Sequence, residues 1–310
     1  MGSLAQLIET ETASSLPKTV RRWVAQLRQM PGVRAVLFYG SGLWQAGAEA
    51  KDVVYDFYLL VSGYRAFRSG RGLAVAGHLL PPNVYFAQAD FGSGETRCKY
   101  AVLTVKQFVR AARGGSFTPH IWARFAQPYC IAHSDSEALR RSLIEASVES
   151  VLCFHRRVFH LMDTATPREC WQAGLRTTYG DELRSEPKGR VDALFEANAP
   201  ALTARTLGAV AALPALAERV SATQVRSRVP PWRRGLYRAA LVARRPFAKL
   251  VVLARLVKAG FTFQGGLEYA QWKVERHSGI RVELSDFHRR HPVLGGLLLF
   301  WRVVRRGGLE

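Results

Sequence analysis

Val33-Arg34-Ala35-Val36-Leu37-Phe38-Tyr39-Gly40-Ser41-Gly42, followed by Tyr55-Asp56-Phe57-Tyr58-Leu59-Leu60-Val61, is the stretch whose reading decides the fold of this chain. A β-branched and aromatic run stops at Gly-Ser-Gly, and a second apolar run then begins with one carboxylate set into it. Glycine suits a tight turn and a close backbone approach to a ligand. Successive backbone N–H groups in such a turn form a concavity matched to phosphate oxygens. Gly-Ser-Gly alone reads equally as a plain turn. Paired with an acid-bearing strand, it reads as a place to hold a triphosphate beside a metal-binding carboxylate.

Asp56 is the only acid inside its strand, and a buried, unpaired carboxylate there would cost several kcal/mol. It is therefore expected at an open end or against a cation. Asp52 has the same parity but lies ~13 Å away at ~3.3 Å per residue, too far to share a metal in a regular strand.

Outward from this pair, residues 16–30 place Val20, Trp23, Val24 and Leu27 at helical spacing, ended by Pro31-Gly32. The run 53–61 is almost continuously apolar, which predicts a central strand. Residues 64–77, basic and rich in glycine, read as a loop. Val84-Tyr85-Phe86 opens another strand, residues 91–97 form a hairpin turn, and 98–104 form the returning strand. Lys99 there is placed equally well for phosphate or for solvent. Residues 105–112 read as helix, and 129–132 as a last strand. Strands alternating with helices over about residues 1–135 argue for an α/β or α+β unit.

Residues 137–163 read as one long helix capped by Ser134-Asp135-Ser136. His155 and His160 on it are five apart, off the spacing of a metal pair, and read as core or surface histidines. Another helix is expected around 170–175. The polar stretch 176–184 is either a loop or, through Asp181 and Arg184, part of a nucleotide site. Residues 199–220 read as a further helix.

The chain carries 44 Lys plus Arg against 24 Asp plus Glu, a net +20, which points to anionic partners: nucleic acid, an anionic membrane or polyphosphate substrates. An apolar content of 48% with 22% charged residues argues against a disordered chain. The last ninety residues hold 18 cations against 5 acids. In 246–258 the cations alternate with Leu, Val and Phe, as on a helix lying on an anionic bilayer or a bundle helix whose arginines snorkel. No run reaches the ~18–20 apolar residues of a membrane span, and the first seventeen residues lack the apolar core of a secretory signal. Cys98, Cys130, Cys153 and Cys170 form no C-x-x-C pair and are expected as buried, reduced thiols.

With these residues in view, the chain resembles the polymerase-β-like nucleotidyltransferases. More narrowly, it is similar to the peripheral, mitochondrial-type CTP:phosphatidate cytidylyltransferases, the CDP-diacylglycerol synthases. The resemblance runs through Tyr39-Gly40-Ser41-Gly42 with Gln45-Ala46-Gly47, Asp56-Phe57, Val84-Tyr85-Phe86, Lys99-Tyr100-Ala101-Val102, Ala123-Arg124-Phe125-Ala126-Gln127-Pro128 and Thr178-Tyr179-Gly180-Asp181-Glu182-Leu183-Arg184. Beyond residue 200 it thins to Lys258, Phe261 and Thr262. Tyr58 stands where many members of the superfamily carry a second acid.

The resemblance implies an α+β architecture. A nucleotidyltransferase mixed sheet with flanking helices occupies 1–135. A mainly helical domain completing the nucleotide site spans 136–225, and a basic amphipathic membrane-associating region spans 226–310. It implies Mg²⁺-dependent transfer of CMP from CTP to phosphatidate, giving CDP-diacylglycerol and pyrophosphate. Asp56, Lys99 and Asp181 are the implied catalytic residues, with Asp56 and Asp181 on the metal; Asp90 and Asp52 are weaker alternatives to Asp181 for the second ligand. Gly40, Ser41, Gly42, Lys99, Tyr100, Arg124, Tyr179 and Arg184 would hold the nucleotide. Lys249, Arg255 and Lys258 would meet lipid phosphate or the membrane. The expected location is cytoplasmic, peripheral on the inner face of a membrane, or the matrix side of a mitochondrion, with no nucleic-acid partner. The alternatives are a nucleotidyltransferase acting on RNA or another phosphorylated acceptor, and an inactive basic membrane- or nucleic-acid-binding protein.

Overall fold

A computed structural model describes residues 2–43, 53–67, 70–92, 94–180 and 189–262. The chain begins with helices α1 (Gly2–Thr12) and α2 (Lys18–Leu27) and strand β1 (Val33–Tyr39). After a 3₁₀ turn over Ser41–Leu43 come β2 (Val54–Val61), α3 (Arg71–Leu79), β3 (Asn83–Asp90) and β4 (Glu95–Thr104). Helices α4 (Val105–Ala112) and α5 (Trp122–Phe125), strand β5 (Cys130–Ser134) and helix α6 (Glu137–Val158) follow. The remainder is β6 (Thr164–Ala165), α7 (Pro167–Tyr179), α8 (Arg190–Ala197), α9 (Ala199–Ala212), β7 (Ala217–Arg219), β8 (Val225–Ser227) and α10 (Pro231–Thr262).

The main sheet has the order β3-β4-β2-β1-β5, so β2 is central, as its unbroken apolar run requires. β1 runs antiparallel to β2 and to β5, β2 parallel to β4, and β3 antiparallel to β4. The sheet is therefore mixed and the molecule is α+β. One face packs Val36, Phe38, Phe57, Leu59 and Val102 against Val20, Trp23, Val24 and Leu27 of α2. The other packs Leu37, Tyr58, Leu60 and Leu103 against Phe108 of α4 and Phe125 of α5, and continues into Phe154, Trp171 and Leu202 of α6, α7 and α9. A single apolar cluster thus crosses from the sheet into the helical region without a break at residue 135. Leu4 and Ile8 of α1 belong to that same cluster.

Three sequence expectations change. Residues 71–79 form α3 rather than loop, because Gly77 is a packing residue. A Cβ there would stand 2.7 Å from Tyr64 Cζ, so the glycine admits the Tyr64 ring against the helix. The helix expected over 137–163 ends at Val158, and the one expected over 199–220 ends at Ala212, before Leu213-Pro214. Their tails instead feed a three-stranded sheet of order β6-β8-β7, in which Thr164 pairs with Arg226 and Ala217 with Ser227. Strands of two or three residues depend on such distant pairing and leave no local period.

All four cysteines are free and buried. His155 is a core residue, with Nδ1 2.9 Å from Val151 O and Nε2 3.1 Å from Thr206 Oγ1. His160 lies against the ring of Tyr237 near the surface. Among the described residues no helix is long and apolar enough to cross a membrane.

Candidate active site

The strand register lays four residues in a row across one sheet face. Tyr39 pairs with Asp56, Asp56 with Lys99, and Lys99 with Phe86. Residues paired directly across strands share a face and stand about 5 Å apart. Asp56 Oδ1 lies 3.1 Å from Lys99 Nζ, and both side chains remain about a quarter exposed (27% and 22%). The Asp56 oxygen is itself buried and accepts no hydrogen bond among the described residues. The pair is thus a charge contact whose angles miss hydrogen-bond geometry, at an open end of the sheet.

Gly40 closes β1 directly over this carboxylate. Its φ is +88°, the left-handed region that favours glycine, and an added Cβ would sit 3.2 Å from Asp56 Oδ2. Leu43 N donates to Gly40 O at 3.0 Å, which tightens the turn. Gly42 faces the other way, since a Cβ there would meet Phe38 and Tyr55 at 3.2 and 3.3 Å. Of the predicted glycine pair, Gly40 touches the acid and Gly42 packs on the opposite face of the sheet. Ser41 begins the 3₁₀ turn.

One rung deeper, Tyr58 occupies the position at which the resemblance would place a second acid. It is 5% exposed, with its ring 5.0 Å from Tyr39 and 5.1 Å from Phe125. It serves the core between sheet and helix. Arg124 of α5 reaches over the same aromatic group, its guanidinium carbon 4.9 Å from the centre of the Tyr39 ring. The row therefore has an acid and a lysine in its middle and a guanidinium above one end.

A second cationic group adjoins it from α10. Arg255 donates to Thr118 Oγ1 at 2.7 Å and lies 3.2 Å from His120 Nδ1. Its Nε is buried with no hydrogen-bond partner among the described residues. Lys258 donates to Pro82 O at 2.7 Å, to Asn83 Oδ1 at 3.0 Å and to Leu80 O. Burial, then the charges of Arg255, Arg124 and Lys258, holds the His120 imidazole neutral, well below its usual range. Burial, then Arg255, pushes Lys258 down to about 8. Like charges gathered on neutral partners form an environment that favours an anion.

The remaining predicted residues fall elsewhere. Tyr100 points to the opposite face from Lys99, stacked on Tyr85 at 5.4 Å, because successive strand residues alternate. Asp90 accepts from Gly92 N at 2.7 Å and from Gly94 N at 3.2 Å, so the hairpin turn uses it. Lys249 is exposed on α10, whereas Arg255 and Lys258 turn into the protein. The backbone of Tyr179 ends α7. Asp52, Asp181, Arg184 and Gln45-Ala46-Gly47 lie outside the described residues.

Arg97 and His120 also stand at this site without having been expected from the sequence. Arg97 shares the Asp56–Lys99 face one rung out, where it forms a 3.0 Å ion pair with Glu95. Counting back two from Lys99 would have found it. His120 had no local signal.

Asp56 supplies one carboxylate with a buried oxygen that lacks a hydrogen bond. That suits Mg²⁺ arriving with a triphosphate, which needs only one or two protein carboxylates. Among the described residues no group of three or more His, Cys, Asp or Glu could hold a metal.

No protein-family model matches this chain, and no curated protein matches it.

Proposed function

We propose that the protein is a nucleotidyltransferase that moves CMP from CTP to phosphatidate, releasing pyrophosphate and forming CDP-diacylglycerol. The observation that carries the proposal is the pairing of Asp56 and Lys99 at an open sheet end, directly under the left-handed Gly40. A carboxylate and an ammonium at this separation can meet a triphosphate from two sides. Asp56 would hold the Mg²⁺ that accompanies it, and the ion would neutralise charge on the phosphates.

The chemistry asks little of acids and bases. A phosphatidate oxygen, already anionic, attacks the α-phosphorus of CTP and forms a new P–O bond. The bond from that phosphorus to the bridging oxygen breaks, and pyrophosphate leaves with the electron pair. Positioning and charge neutralisation supply the acceleration. Lys99 and Arg124 neutralise the phosphates, while the group around Arg255 and Lys258 draws the second anionic substrate to the same face.

The lipid substrate calls for a membrane surface, and α10 offers one. Trp232, Leu236, Val242, Phe247, Leu250, Leu253 and Val257 are all exposed and share the outer side of the helix. Arg238, Arg245 and Lys249 flank that stripe, the arrangement of an interfacial helix on anionic lipid. In this reading the protein is peripheral on the leaflet that supplies phosphatidate.

The test uses the full chain with Mg²⁺, CTP and phosphatidate liposomes. Pyrophosphate release dependent on both substrates is expected. No release with phosphatidate, together with CMP transfer to an RNA end, would replace the lipid acceptor by RNA.

A further inference from the structure

A cavity of about 310 Å³ lies beneath α10, away from the Asp56 row. Trp122, Phe154, Val158, Leu161 and Leu241 give it an apolar wall, while Arg157 and Arg244 bring two guanidinium groups to its lining. Both arginines are held in place. Arg157 lies over the Trp122 ring at 4.4 Å and donates to Cys153 O at 3.1 Å. Arg244 donates to Phe117 O at 2.7 Å. On the α7 side of the cavity the helix is pressed onto α6 at Gly174, where an added Cβ would stand 2.2 Å from Phe154 Cζ. With those two helices locked together, α10 spans the hollow beside them.

We infer that this cavity binds the hydrocarbon chain of a single-chain anionic amphiphile, with its carboxylate or phosphate head between Arg157 and Arg244. The apolar wall takes the chain through burial of its surface. Two cations, with no acid among the described lining residues, favour a negative head over a neutral one. The volume stands at the lower end of small-molecule sites, roughly 300–1,000 Å³, which suits one chain rather than two. The bilayer is a ready source, because the opposite side of the same α10 segment is the exposed apolar stripe. Segment 116–124 separates this cavity from the proposed catalytic face, with Phe117 and Trp122 on one side and His120 and Arg124 on the other. Chain binding therefore stands independently of cytidylyl transfer.

The experiment is calorimetric titration of the full chain, without nucleotide, with monomeric lauroyl lysophosphatidate, laurate, dodecanol and inorganic phosphate. Saturable one-to-one binding of either anionic amphiphile is expected, at least tenfold tighter than dodecanol and with none for phosphate alone. The phosphate and carboxylate arms identify the preferred head. Ala240→Phe, filling the cavity from α10, and Thr177→Phe, filling it from α7, should each weaken binding at least tenfold, with far-UV circular dichroism reporting the fold. Arg244→Gln should abolish the preference for the anionic head. Asp56→Asn should bind as the parent protein does, which separates this site from the proposed active site. Absent binding, equal binding of dodecanol, or titrations unchanged in both folded cavity-filling variants would overturn the inference.

Discussion

Asp56 and Lys99 stand on neighbouring parallel strands with Oδ1 and Nζ 3.1 Å apart, 43 residues from each other in sequence. Each also keeps about a quarter of its side chain open to solvent. A partly exposed ion pair whose angles miss hydrogen-bond geometry contributes about 1 kcal/mol to stability. Asp56→Asn and Lys99→Gln should therefore leave the melting temperature within a few degrees of the parent. Pyrophosphate release should fall about 10²–10³-fold in either variant, the usual effect of removing one electrostatic group from a reacting centre. Because the two act on the same phosphates, the double variant should lose less than the product of the single losses. Full activity in Asp56→Asn would remove the proposed function.

Gly40→Ala addresses the turn itself. A non-glycine residue in left-handed backbone costs about 1–2 kcal/mol, and the new methyl group would meet Asp56 Oδ2 at 3.2 Å. Activity should drop more steeply than stability, since the carboxylate must shift before the protein unfolds. Steady-state kinetics beside a urea titration would separate the two effects.

Arg205 of α9 is fully buried and donates to Glu11 of α1, with Nε to Oε2 at 3.0 Å, and to Ala126 O. The N-terminal helix is thereby tied to the helical region by a charge pair. Breaking one half of a buried pair costs about 3–5 kcal/mol. Glu11→Gln should lose a few kcal/mol by chemical denaturation. A change under 0.5 kcal/mol would mean that Arg205 finds another acceptor.

His155 makes stability depend on pH. Burial lowers it from 6.5 to about 4, so between those values the unfolded chain binds a proton that the folded chain does not. The His155 contribution is complete above pH 6.5 and is lost as the pH drops toward 4, by about 1.4 kcal/mol per unit at the steepest. His120, also held low, adds to the loss in the same direction. His155→Gln should flatten this acid limb in thermal melts from pH 4 to 7, whatever it does to the maximum.

The outer stripe of α10 is the part of the membrane proposal that can be removed without touching the sheet. Phe247 and Leu250 are 62% and 61% exposed, so Phe247→Asp with Leu250→Asp should leave the fold intact. Sedimentation with anionic liposomes should fall at least tenfold, and neutral liposomes should bind the parent weakly. Equal sedimentation of parent and variant would place membrane contact elsewhere.

The sequence by itself determined the local pieces of this protein. Apolar runs marked β1 and β2, helical spacing marked α2 and α4, and Ser136 marked the start of α6. The period of two also determined that Asp56 and Tyr58 share a face. These features follow from propensity and alternation among consecutive residues, where all the needed information is adjacent. Only the tertiary structure decided what those residues meet. It set Lys99 beside Asp56, gave position 58 to a core tyrosine, turned Tyr100 to the far face, and drew Arg255 and Lys258 inward from a helix whose sequence reads as either a membrane rim or a bundle helix. Each outcome depends on which distant surface offers burial or a counter-charge, a competition across the whole chain that no local window contains. The glycines show the division most plainly. At 40 the residue serves a turn written beside it, and at 77 it makes room for a ring thirteen residues away.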